Sequence, residues 1–229
     1  MDAFRLVSWN LAMLERSAQA PPGWGVEQTE AVVVERLLAA DPDLVHFQEL
    51  PGLVPYLPTH GMVTSNPESH QGHLATLVRR GIATDAVAAS PFVVLVTIGD
   101  LTVANVHLAP GPGRPAAQLR HGQLAAVVAA SPTEALLVLG DTNTRTDELD
   151  AIDELGLRSA PLPSPSWHGT RNRFRADGPR FTASFSRWLA TDAVVVDEVA
   201  VWDTPIEVDG HRFHPSDHFA VAVTARVQH

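Results

Sequence analysis

Ala135-Leu136-Leu137-Val138-Leu139-Gly140-Asp141-Thr142-Asn143-Thr144-Arg145 is the stretch on which the fold assignment turns. The apolar run from Ala135 to Leu139 has the length and composition of a short buried strand. Gly140 then lets the backbone turn, so that Asp141 and Asn143 are expected on one side of an extended segment, facing one cavity. A carboxylate can orient or deprotonate a water and an amide can donate to an anionic oxygen, a pair that suits a phosphorus centre. Gly-Asp and Thr-Asn are also ordinary turn chemistry, so the stretch gains its meaning from its company elsewhere in the chain.

Working outward, the same arrangement of a strand with a polar residue at its end recurs. Phe4 to Trp9 reads as a strand that ends at Asn10, and Leu44 to Gln48 as a second that ends at Glu49. Gly99-Asp100 is a two-residue hairpin turn between Val93–Ile98 and Leu101–His107. In the second of these strands Asn105 and His107 lie two apart and face the same way. Leu74–Val78, Val199–Trp202 and Ala193–Val196, the last preceded by Thr191-Asp192, are further strands. Val208 to His211 resembles a hairpin turn, and Pro215-Ser216-Asp217-His218 leads into a last strand, Phe219–Val227.

Apolar spacing predicts helices over Val26–Ala40 and Ala116–Ala130, with Asp41-Pro42-Asp43 stopping the first, and a short acid-headed helix over Thr146–Glu154. Pro51–Asn66 reads as a loop with at most a short helix, and Leu157–Ser186 as the longest irregular segment. Six to nine strands with intervening helices predict an α/β sandwich of four layers: two mostly antiparallel sheets packed face to face, helices outside. At 229 residues the chain is expected to form one domain over 1–229.

Composition narrows the chemistry. There is no cysteine, so a metal would be held by oxygen or imidazole. The net charge of −10 argues against a surface that grips nucleic acid everywhere but leaves room for a local basic groove. Such a groove is suggested between Trp167 and Trp188, where Arg171, Arg173, Arg175, Arg180 and Arg187 face the single acid Asp177. Trp167, Phe174, Phe181, Phe185 and Trp188 interleave with them, a combination that can hold phosphates and stack bases. The same segment equally suits a loop tied to the acidic body by ion pairs. The N-terminal residues lack the pattern of a secretory signal and no apolar run spans a bilayer, so a cytoplasmic location is expected.

Taken together, Asn10, Gln48-Glu49, Asn105 with His107, Gly140-Asp141-Thr142-Asn143, Asp192 and Ser216-Asp217-His218 form one ordered pattern. It resembles the endonuclease/exonuclease/phosphatase superfamily, which has the DNase I-like fold, over nearly the whole chain. The resemblance implies that Glu49 is the principal metal-binding carboxylate, with Asn10 beside it and Asp217 on the far side, holding Mg²⁺ or Mn²⁺. It implies that His218 lies beside the scissile phosphate, paired with Asp192, and that His107 is a second active-site histidine. Asp141 would orient or deprotonate the attacking water and Asn143 would donate to the phosphate. The usual Arg-Ile-Asp-Tyr is here Leu189-Ala190-Thr191-Asp192-Ala193, so Asp192 is assigned by register. The implied activity is metal-dependent hydrolysis of a phosphate ester by direct water attack. The leading expectation is a phosphodiesterase on nucleic acid ends or single strands, with Asn105, Arg171, Arg173, Arg175 and Arg180 on the substrate side. A small phosphorylated metabolite or phospholipid head group is the alternative substrate, and a non-catalytic binding protein the alternative class.

Overall fold

Apolar side chains alternating along two buried strand pairs, each pair joined by an amphipathic helix, set the frame of the molecule. The computed structural model describes residues 3–52, 54–64 and 73–228. In chain order the strands are β1 (Phe4–Asn10), β2 (Leu44–Leu50), β3 (His60–Thr64), β4 (His73–Arg79), β5 (Asp85–Ser90), β6 (Val93–Ile98), β7 (Leu101–Val106) and β8 (Ala135–Asp141). They continue with β9 (Trp167–His168), β10 (Thr182–Ala183), β11 (Ser186–Ala190), β12 (Val194–Trp202), β13 (Ile206–Val208), β14 (His211–Phe213) and β15 (Ala220–Val227). The helices are α1 (Val26–Ala40), α2 (Arg114–Ala130) and α3 (Leu149–Asp153).

One sheet has the order β12-β15-β1-β2-β4-β3 and the other β11-β8-β7-β6-β5. Each contains one parallel pair, β1 with β2 and β7 with β8, and is otherwise antiparallel. The parallel pairs require crossovers, which α1 and α2 supply. Because side chains alternate across a strand, Leu137 and Leu139 of β8 join Leu6, Leu44, Val103 and Val221 between the sheets, while Leu136 and Val138 face outward onto Leu124 and Val127 of α2. Val33 and Leu37 of α1 cover Val7, Val45 and Phe47 on the opposite outer face. The expected four-layer α/β sandwich is therefore the observed one. Among the described residues no helix is long and apolar enough to cross a membrane.

Several strands depart from the sequence expectation, among them β9 and β10, which pair within the segment expected to be irregular. β3 occupies part of the stretch expected as loop, β5 is an unanticipated Ala-rich edge, and β11 begins at Ser186 where the irregular segment was expected to end. Edge strands owe their form to a neighbour's ladder more than to their own periodicity, which is why their sequences are quiet. Leu53, Ser65 and Asn66 of the expected loop lie outside the described residues. The two strands expected over 193–202 are one, β12, with a register shift between Val196 and Glu198.

Candidate active site

The C-terminal ends of the two parallel pairs meet. β1 ends at Asn10, β2 carries Glu49 near its end, His107 follows β7, and β8 ends at Asp141, bridged to His107. Asn10 joins the two sheets, its Nδ2 donating to Glu49 Oε1 and to Asp141 Oδ2, both at 2.9 Å. His107 Nε2 lies 3.6 Å from Glu49 Oε1 and 3.8 Å from Asp141 Oδ2, and His218 Nε2 lies 3.8 Å from the same Asp141 oxygen. Residues more than two hundred positions apart in sequence thus share one carboxylate.

Two backbone features aim these groups. By strand alternation Glu49 should face outward, as Val45 and Phe47 do. A one-residue bulge between Phe47 and Leu50, with Glu49 at φ +51°, turns it back to the cluster. A non-glycine residue in this conformation is uncommon and is a recurrent feature of functional sites. Gly140 is not the turn expected from sequence. β8 runs through it to Asp141, and a Cβ at Gly140 would lie 2.3 Å from the carbonyl oxygen of Val106. Its role is to let β8 approach β7 closely enough to set Asp141 beside His107.

The supporting contacts are dense. The Asn143 N–H donates to Asp141 Oδ1 and its Nδ2 to the Leu108 carbonyl, so Asn143, at φ +52°, holds the carboxylate in place. Ser216 Oγ donates to the Asn10 carbonyl and accepts the His218 N–H, and Trp9 Nε1 donates to the His218 carbonyl, fixing the last loop onto β1. Beneath the cluster, Gln48 donates to Asn105 Oδ1 and Ser8 Oγ. Burial lowers the guanidinium pKa of Arg187, which donates to the carbonyls of Ser184 and Thr144.

Several expected roles change. Asp192 is exposed, pairs with Arg158, and lies beyond the opposite end of β11, where the adjacent Thr191 N–H bonds to the Leu136 carbonyl. From Leu136 to Asp141 the strand runs about 17 Å, so Asp192 does not reach His218. Instead Ser186 Oγ sits 3.2 Å from His218 Nδ1. Register counted from a single carboxylate could not reveal a hydroxyl in that place.

Asn105 is fully buried and satisfied by the carbonyls of Phe47 and Ala75, so it pins the sheets together and faces no substrate. Asn10 presents its amide nitrogen to the carboxylates while its oxygen accepts the Ala12 N–H. In this orientation Asn10 bridges the two carboxylates through its amide nitrogen, and its oxygen is taken by the backbone. Asp217 is half-buried and stands outside the Glu49, His107 and Asp141 group, whose ligand atoms lie within 4.8 Å of one another.

Most arginines of the expected groove are engaged by the protein itself. Arg171 pairs with Asp203 at 2.7 Å, Arg175 with Glu15 at 3.3 Å, and Arg180 donates to the carbonyls of Gly169 and Ala176. Arg173 is exposed, without a partner among the described residues. The aromatics, by contrast, do gather: Trp167 and Phe181 lie 4.7 Å apart, Phe185 packs on both, and its ring is 6.2 Å from that of His218.

The chemistry of the donors fits a divalent cation. Asp141 is 1% exposed, and among the described residues no arginine is within ion-pair distance of it or of Glu49. A buried and a half-buried carboxylate with ligand atoms within 4.8 Å of each other call for a cation or for protonation.

The fold and this cluster define a class, that of phosphoric ester hydrolases built on paired sheets. The sequence model of the Endonuclease/Exonuclease/phosphatase family matches residues 7–218, and the chain belongs to that family. No curated protein matches the sequence directly. Among solved structures, TDP2 from D. rerio complexed with a single-strand DNA product is 18% identical, with a TM-score of 0.74 over 99% of this chain and 100% of its own. Truncated TDP2 from Caenorhabditis elegans is 19% identical, with a TM-score of 0.68 over 97% of both chains. A mannosyl-6-phosphatase from Bacteroides thetaiotaomicron is 17% identical, with a TM-score of 0.70 over 97% of this chain and 99% of its own. These likenesses show a shared fold.

Proposed function

We propose that the protein hydrolyses phosphate esters by direct attack of water, with Mg²⁺ or Mn²⁺ held by Glu49 and Asp141 and with His107 closing the donor set. The observation that carries this is the meeting of four strand ends about Asp141, with two imidazoles and, among the described residues, no arginine in ion-pair contact with Asp141 or Glu49. When bound, the cation supplies charge neutralisation at the non-bridging phosphate oxygens. Asp141, held by Asn143 and Asn10, orients the attacking water. His218, supported at Nδ1 by Ser186, offers Nε2 to a phosphate oxygen or to the departing oxygen. Ser186 is itself fully buried, so this serine and histidine do not form a nucleophile and base, and no covalent intermediate is invoked.

The occupied arginines favour a compact ester over a long polymer, and the mannosyl-6-phosphatase with this fold is described as acting on such a substrate. A nucleic acid end is the second reading, carried by Phe181, which is 50% exposed beside Trp167 and Phe185 and could stack a base. Turnover of bis(p-nitrophenyl) phosphate, p-nitrophenyl phosphate and labelled single-stranded DNA in Mn²⁺ separates them. A chelator-sensitive, salt-insensitive turnover of the small esters is expected. DNA cleavage that falls steeply with salt would favour the second reading, and inactivity on all three would overturn both.

A further inference from the structure

The chain leaves the catalytic cluster by two exits, Ala109–Gly113 after His107 and Thr144–Glu148 after Asp141. With α2 and α3 these exits border an open cavity of about 770 Å³, a size typical of small-molecule sites. Its accessible apolar lining comes from Pro112, Ala117 and Ala151, with Leu124 and Ile152 beneath as part of the buried outer core. Arg120 also lines it but is fully committed: it is buried, pairs with Glu148 through Nε at 2.9 Å and through Nη2, and donates to the carbonyls of Ala109 and Gly111. That pair ties one exit to the other.

Arg114 and Arg145 are different, because among the described residues neither has a carboxylate partner. Asp147 is the remaining acid of the lining, so the walls carry more positive than negative charge in a chain of net charge −10. Arg145 also connects the cavity to the catalytic cluster. It donates to the Asn143 carbonyl, and its guanidinium lies 4.2 Å over the ring of Phe185, which neighbours the His218 ring at 6.2 Å as well as Trp167 and Phe181.

We propose that this cavity is a substrate subsite that takes the organic part of a compact phosphate ester carrying a second anionic group. The ring or chain lies against Pro112, Ala117 and Ala151, and the second anion is recognised by Arg114 and Arg145. The inference rests on the phosphate-ester hydrolase proposed above, because it places the scissile phosphate at Glu49, Asp141 and His218. It adds a substrate class to that reading: bisphosphorylated small molecules in preference to their monophosphates.

The probes are thymidine 3′,5′-bisphosphate and thymidine 5′-monophosphate, titrated calorimetrically into the full chain. The wild type is expected to bind the bisphosphate at least about tenfold more tightly. Arg114→Ala removes one anion contact and Ala151→Trp, at an exposed position of the lining, fills the cavity; each is expected to bring the two affinities together. Equal affinities in the wild type, or a preference that survives both variants, would overturn the subsite. Turnover of bis(p-nitrophenyl) phosphate on the same preparations reports separately on the hydrolase. An active enzyme without the preference removes the subsite alone, and an inactive protein with the preference removes the hydrolase alone.

Discussion

The strand-end cluster and the arginine-aromatic segment over 167–188 were both conspicuous by residue type, yet they behave oppositely in the fold. At the strand ends, side-chain direction is inherited from the ladder, so Asn10, His107 and Asp141 converge because β1 is in register with β2, β7 with β8, and the two sheets pack face to face. In the irregular segment nothing fixes direction in advance, and the cations turn to whatever acceptors are nearest: Asp203, Glu15 and the loop's own carbonyls. A charge on a regular element keeps its aim toward a site, whereas a charge on a long loop is first used to hold the loop.

The contrast can be broken by experiment. Asp141→Ala removes the group shared by both imidazoles and Asn10, and should lower kcat by about a thousandfold or more while the fold, followed by circular dichroism, persists. Retained turnover would show that the ladder's convergence is not catalytic. Inside the frame below the cluster, burial pushes His46 down to about 4, against a smaller opposing effect of its bond to the Leu139 carbonyl. The folded pKa is below the unfolded value near 6.5, so the unfolded chain takes up the proton first. Stability should therefore fall as pH drops from about 6.5 to about 4, by up to about 3 kcal/mol from this group. Urea titrations across that range test it, with His46→Leu expected to flatten the slope by about one proton.

Gly140→Ala should cost about 1–3 kcal/mol, since the new methyl meets the Val106 carbonyl, and should reduce turnover by separating His107 from Asp141. An unchanged melting temperature with full activity would contradict that role. Ser186→Ala is smaller, an approximately tenfold loss in kcat with KM unchanged and recovery in Ser186→Thr. Smallest are Arg171→Ala and Arg175→Ala, exposed ion pairs that should each change stability by less than about 1 kcal/mol and leave kcat/KM for small esters unaltered. A large loss in either would restore the loop as a substrate surface.

The same contrast explains what the sequence revealed. Helix α1 forms over the expected residues, the Gly99-Asp100 hairpin is as expected, and Asn10, Glu49, His107, Asp141 and His218 meet, because period and strand-end position are local signals. Ser186 was invisible since its importance comes from an antiparallel pairing that sets it opposite Asp141, a tertiary fact with no local signature. Asn105 differs for a related reason: it lies on the face that the strand period predicts, but that face is filled by Gln48 of the other sheet. Gln48 in turn shows why Gln-Glu sits at this strand end, one side chain tying the sheets and the next rotated by the bulge into the cluster.

Mn²⁺ binding tests the central claim most directly, by titrating the wild type and Glu49→Gln with Mn²⁺ followed by electron paramagnetic resonance. The convergence of Glu49, Asp141 and His107 predicts a saturable site in the wild type that is lost or weakened at least about tenfold in the variant. Equal binding by the two proteins, or no saturable site in the wild type, would contradict it.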